Sequence, residues 1–296
     1  MTDSAHSPAA PSSSAAVDFD ALRRRHPQHF GGPDRQWRLA ILLAGGALAL
    51  LLFGMVRLGL FDARTFAGLG RLGEIVGLMV PPSPGDWAHV RIYLSALVET
   101  VAIALLGTLV AAALAIPLGL LAAKNVTTAR LLHFLTRRSL DTIRSIDILV
   151  WALIWVNVVG LGPFAGVLAI MTADIGSFGK LFSEAIEAAD RKPVEGIVSS
   201  GGGRILSVRF GILPEVFPVL ASQVLYYIES NTRSATIIGI VGAGGIGLQL
   251  SEAIRTLELQ QVSFIILLIL IAVAGIDYVS SQLRFGLIGR KASTPQ

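Results

Sequence analysis

Two short runs of ionisable residues interrupt otherwise apolar sequence, and their spacing suits one face of a helix. Asp141, Arg144 and Asp147 recur at every third position, which sets an arginine between two carboxylates; Glu229 and Arg233 stand in the i, i+4 order that favours a helical ion pair. Charges within apolar spans are costly and therefore become functional candidates. Two chemistries fit them. In one, the charges neutralise each other near the helix ends. In the other, Arg144 with Ser145, and Arg233 with Ser230, Thr232 and Ser234, offer cationic and hydroxyl donors to a passing oxyanion, with Glu229 and Asn231 beside them. The two readings stay open at this point.

Other chemistries are excluded more firmly. The chain has no cysteine, so disulfides, thiolate nucleophiles, zinc-thiolate sites and iron-sulfur clusters are absent. The histidines, His6, His26, His29, His89 and His133, fall in tails, loops or span ends and supply no general base inside a span. Gly242, Gly244 and Gly247 spell GxGxxG, but they end an apolar span instead of following a strand, so they are expected to form a compact re-entrant turn or a close helix contact. No GxxxxGK[ST] phosphate loop occurs, so the chain is expected to hydrolyse no ATP. No catalytic residue, metal site or bound cofactor is expected.

The elements that must position these residues are membrane spans. Hydrophobic residues make up 53% and charged residues 15% of the 296-residue chain, against about 25% charged in a typical soluble domain. Uncharged runs such as 39–55 and 100–123 approach the ~20 residues that cross the hydrocarbon layer. The net charge of +4 comes from arginines between the runs, with no basic stripe, so it reads as a topology signal and no nucleic-acid partner is expected. About six transmembrane helices are expected in an all-α fold, near 37–56, 94–122, a third that starts in the charged segment 138–147 and runs to 159, 164–182, 216–241 and 262–285. The positive-inside rule puts both termini and the stretch 184–214 in the cytoplasm. Residues 59–90 read as an outer loop, and 242–261 as a second one holding a short helix with Glu252, Arg255 and Glu258. The expected organisation is a disordered tail at 1–35, a first helix and outer loop at 36–91, a core at 92–290 and a short tail at 291–296.

The stretch from Glu184 reads EAIEAADRKPVEGIVSSGGGRILSVRFGILPEVFP. Its glycines at 201–203 should separate two short helices, Pro193 suits a first turn, and Pro214 should restrict the residue before it where the fifth span begins. The stretch resembles the cytoplasmic loop of binding-protein-dependent ABC importer permeases, whose pattern is an acidic residue with two alanines, then a glycine, then Ile-x-Leu-Pro. Glu195 takes the acidic position, Gly201 the glycine, and Leu213 with Pro214 the ending; Gly196 and Ile197 replace the alanines, and Gly211 replaces the isoleucine. SNTRSATIIGIVGAGGIG from Ser230, GLGPFAGVLA from Gly160 and GKLFSEAIEA from Gly179 resemble the phosphonate permeases of that class.

The resemblance implies a type I ABC importer (MetI-like) permease fold and a role as transmembrane subunit in phosphonate import. It implies a cytosolic ATPase dimer that binds the ATP, an extracytoplasmic phosphonate-binding protein and a second permease subunit, all working in a lipid bilayer. It assigns coupling to Glu195, Gly201, Leu213 and Pro214. A methionine or other small-solute permease is the alternative within the class, and an ion-coupled secondary transporter the alternative outside it. The latter is disfavoured because neither inverted repeats nor broken midplane helices are evident.

Overall fold

A computed structural model of the chain describes residues 35–60 and 63–289; most of the expected N-terminal tail and the expected C-terminal tail lie outside them. Among the described residues all regular structure is helical, as lipid requires of spans that must satisfy their backbone groups internally. The helices are α1 (Arg35–Arg57), α2 (Ala63–Leu78), α3 (Trp87–Ala122), α4 (Arg130–Arg144), α5 (Ile148–Val159), α6 (Pro163–Ala188), α7 (Lys192–Ser199), α8 (Leu213–Ile240), α9 (Ile246–Arg255) and α10 (Leu259–Gly289). Between α7 and α8, a turn at Arg204–Leu206 runs into a π-helical segment, Ser207–Ile212. The chain forms two units, residues 1–72 and 73–296. In the first, α1 buries none of its side chains, as a helix surrounded by lipid would not.

Five helical stretches are long and apolar enough to cross a membrane: Trp37–Arg57, Trp87–Ala122, Pro163–Ala188, Arg204–Ile240 and Leu259–Arg284. The third span expected from 138 to 159 is not one helix: α4 and α5 are bent by 88° at a short break, and they make a sixth crossing if the pair counts as one span. The 12 residues of α5 reach only ~18 Å, less than the ~30 Å hydrocarbon core. Local hydrogen bonds make the break: the Ser145 hydroxyl donates to the Thr142 carbonyl (2.7 Å) at the end of α4, and the Asp147 carboxylate accepts the Leu149 N–H (2.8 Å) to cap α5. Asp147 therefore leaves the face that holds Asp141 and Arg144, and the expected three-charge stripe does not form.

Two further expectations change. Residues 59–90 are not all loop, because α2 occupies Ala63–Leu78. Pro214 does not separate the preceding loop from the fifth span, since Leu213 is helical (φ −55°, ψ −45°) and the helix is continuous from Arg204. The π-helical turn lies where Pro214 cannot return an N–H bond to the preceding turn.

The second unit is built around the α3–α6 contact. On α3, Gly107, Ala111, Ala115 and Gly119 recur every four residues, a small-residue seam that admits a close neighbour. A Cβ at Gly107 would lie 2.7 Å from Ile170 Cβ, and one at Gly119 would lie 2.9 Å from Phe182 Cβ. Phe178 and Phe182, both fully buried, stack against each other with centroids 5.2 Å apart beside Ala111 and Ala115. Between helices in lipid this close van der Waals fit carries much of the association.

The N-terminal end of α3 is capped by Asp86, whose carboxylate accepts the His89 N–H (3.0 Å) and meets the His89 ring at 2.7 Å. The backbone bond from His89 and then its side chain hold the Asp86 carboxyl below its ordinary range. A depressed folded value means that the cap stabilises above the unfolded carboxyl pKa of about 3.9 and is lost as pH falls through the folded value. Thermal midpoints of wild type and Asp86→Ala should therefore differ at pH 6, and the difference should shrink as pH is lowered below about 3.9.

Candidate translocation pathway and coupling loop

The loop between α6 and α8 is a compact protrusion. Pro193 sits in the first turn of α7, and Gly201 adopts φ +83°, where its N–H donates to Val198 O (2.9 Å) and the Gly202 N–H to Ile197 O (2.9 Å). This left-handed glycine closes α7. On one face of α7, half-buried Val194 and Ile197 pack towards Gly211, where a Cβ would come within 3.1 Å of Val194. The other face leaves Glu195 and Val198 exposed. Glu215, in the first turn of α8, accepts the Asp190 N–H (3.0 Å) and ties down the loop's entry. Glu195 and Gly201 thus share the protrusion, while half-buried Leu213 and exposed Pro214 lie at its base.

The four pathway candidates do not converge on one point. Arg144 is exposed at the end of α4, whose backbone passes against α6 at Gly176. Glu229 is nearly buried: one oxygen meets Arg284 at 2.8 Å and the other meets Arg233 at 3.7 Å, and Arg233 continues to Asp277 at 3.6 Å. Two arginines and two carboxylates thereby form a self-neutral chain between α8 and α10. Arg233 keeps 47% of its side chain exposed. Asn231 points elsewhere and is buried between α3 and α6, with its Nδ2 donating to Thr108 Oγ1 (2.7 Å) and Asp174 Oδ2 (2.5 Å).

Asp174 is the chief residue that sequence reasoning passed over. It is a lone acid in an apolar stretch, which is the available signal, but its partner lies 57 positions away. Among the described residues it has no cation within ion-pairing distance. Asp174→Leu should leave one of the two Asn231 amide hydrogens without an acceptor, at a cost of about 1–3 kcal/mol, whereas Asp174→Asn keeps an acceptor and should melt near wild type. Equal melting of the leucine variant and wild type in detergent would refute this packing role.

At the opposite end of α8, the glycine run is a tight turn as well as a helix contact. Gly242, Gly244 and Gly245 take φ +100°, +82° and +74°. The Gly162 N–H donates to Gly242 O (2.9 Å), Glu99 Oε1 accepts the Gly245 N–H (2.8 Å), and Thr100 Oγ1 accepts the Ile246 N–H (2.7 Å). Side chains of α3 thus fasten the turn that leads into α9. Of the expected outer helix, α9 carries Glu252 and Arg255, while Glu258 falls beyond its end.

Comparison with known proteins agrees with this architecture. A putative phosphite transport system permease protein of Stutzerimonas stutzeri is 38% identical over 225 residues, covering 76% of this chain and 79% of that protein. A phosphite transport system permease protein of the same organism is 35% identical, covering 79% and 86%. A phosphate-import permease protein of Mycolicibacterium smegmatis is 38% identical over 71% of this chain and 39% of its own length. Among solved structures, an inward-facing methionine ABC transporter chain superposes with TM-score 0.60 at 17% identity, covering 68% of this chain and 99% of that one, which shows the fold alone. The model of binding-protein-dependent transport system inner membrane components matches residues 115–286, and the chain belongs to that family.

Proposed function

We propose that this chain is a transmembrane permease subunit of an ATP-driven importer for phosphonate or a related phosphorus oxyanion, and that the Lys192–Ser199 helix couples it to a cytosolic ATPase. The observation that carries the reading is the seating of α7: Val194 and Ile197 fix it to the π-helical segment, while Glu195 and Val198 stay free to be gripped. A push on α7 passes through Gly211 into α8, the helix that also holds Glu229, Asn231 and Arg233.

In this reading Glu195 and Gly201 form the gripped surface, and Leu213 with Pro214 transmit its movement into α8. An ATPase dimer binds and hydrolyses the ATP, an extracytoplasmic phosphonate-binding protein delivers substrate, and a second permease subunit completes the pathway. The chain itself carries no cofactor, and both its termini are cytoplasmic. Exposed Arg144 and half-exposed Arg233 are the pathway's oxyanion-facing groups, since a guanidinium on a span needs water, an anion or another protein chain beside it. The names of the similar permeases, which cite phosphite and phosphate, favour this substrate class over amino acids.

The absence of cysteine makes Glu195→Cys a unique handle. A short thiol cross-linker on that variant should join the chain to the ATPase, with a yield that changes when ATP is added. Cross-linking that fails in an assembled, transport-competent complex would remove α7 as the coupling element.

A further inference from the structure

The segment that joins the protrusion to α8 carries a feature that coupling does not use. Ile205, Leu206 and Phe210 are 80%, 49% and 60% exposed, and Phe217 on α8 continues the apolar surface at 65%. An apolar strip that begins before α8 and runs onto a membrane-crossing helix marks where lipid contact starts.

At this boundary lies a cavity of about 490 Å³ lined by Val126, Arg204, Ile205, Val208, Arg209 and Leu213. Its walls are aliphatic, the stems of Arg204 and Arg209 among them, and the two guanidinium groups lie outside that apolar lining. Arg204 Nη1 donates to Thr128 Oγ1 (3.1 Å), which fixes its side chain, and the Arg209 guanidinium lies 5.4 Å from the Phe210 ring centroid. Among the described residues, neither arginine has a carboxylate within ion-pairing distance. This contrasts with Arg233 and Arg284, which are matched by acids.

We propose that this cavity binds one anionic phospholipid, with an acyl chain against Ile205, Val208 and Leu213 and the headgroup phosphate at its rim, where the guanidinium groups of Arg204 and Arg209 can reach it. Guanidinium groups at a span's end pair with phosphate through parallel N–H bonds, and their aliphatic stems rest on the adjoining apolar surface. A free phosphorus oxyanion would satisfy the arginines but leave the aliphatic wall uncovered. A zwitterionic lipid would cover the wall, but its headgroup cation would oppose the two unneutralised arginines. The inference rests on the membrane crossing of Arg204–Ile240 and not on the transport reading.

The test is native mass spectrometry of the full purified chain, equilibrated with phosphatidylglycerol or with phosphatidylcholine of identical acyl chains. One phosphatidylglycerol should remain on each wild-type chain under activation that strips phosphatidylcholine. Arg204→Gln/Arg209→Gln should retain at least about fivefold less of it. Excess inorganic phosphate should displace none. Equal retention of the two lipids, unchanged retention in the double variant, or displacement by phosphate would each overturn the proposal. Should the double variant fail to fold, the wild-type ratio of the two lipids decides, and a ratio near one is the refuting result.

Discussion

Replacing Gly247 with valine should abolish recovery of the folded chain. A Cβ at this position would lie 2.0 Å from the Thr236 carbonyl oxygen and 2.9 Å from the Gly239 Cα, so the obstruction is backbone. The neighbouring turn cannot swing aside freely, because Glu99 and Thr100 hold it to α3 through the Gly245 and Ile246 amides, and the Gly162 N–H holds it to the start of α6. Overpacking a rigid site costs typically about 1–3 kcal/mol, and a site held by three hydrogen bonds to two other helices belongs at or above the top of that range. Gly275→Ala, on α10 with nothing near the added carbon, is the matched control and should be neutral or mildly stabilising. The yield of monodisperse protein and its thermal midpoint in detergent measure both. If Gly247→Val melts with wild type, the α8–α9 contact is looser than described.

The second large effect is expected at Arg284→Gln. The Glu229 side chain is 13% exposed and its closest cation is Arg284, with Arg233 at the longer 3.7 Å and shared with Asp277. Removing Arg284 leaves two carboxylates facing one guanidinium in a membrane-crossing region. Breaking a buried pair from one side costs about 3–5 kcal/mol, and partial exposure here puts the expected loss near the lower bound. Glu229→Gln/Arg284→Gln removes both charges together and should recover more than half of that loss. A double-mutant cycle on thermal stability gives the coupling directly. Strict additivity would mean that the two side chains do not depend on each other.

Spans were legible wherever one long apolar run made one helix. The expected 94–122 and 164–182 correspond to α3 and α6, which extend further into polar sequence because caps such as Asp86 lie outside the apolar run. The α4–α5 bend was not read as such, because hydropathy averages across a corner. It depends on Ser145 and Asp147 claiming local backbone groups and on Gly176 letting the corner approach α6, where a Cβ would lie 2.7 Å from the Arg144 nitrogen. Likewise α2, with its glycines and mixed polarity, lacked the run that marks a span.

For the candidate site, local pairs were readable and distant ones were not. Glu229 with Arg233 follows from helical spacing, but Arg284 and Asp277 join them only when α10 packs on α8. Asn231 could be singled out as a polar residue in a span, yet its commitment to Thr108 and Asp174 depends on three helices meeting. The glycines at 242–247 were readable as a turn or contact because their context excluded a dinucleotide site. Their fastening by Glu99 and Thr100 is tertiary.

The central claim is that ATP hydrolysis by a partner, transmitted through the Lys192–Ser199 protrusion, drives entry of a phosphorus oxyanion. The most direct measurement is uptake of labelled alkylphosphonate, phosphite and phosphate into vesicles holding this chain, its ATPase and the binding protein, with wild type beside Gly201→Asp. The account predicts that uptake of at least one of the three requires ATP and collapses in Gly201→Asp while the complex still assembles in the membrane. Uptake that proceeds on an ion gradient without the ATPase would contradict it.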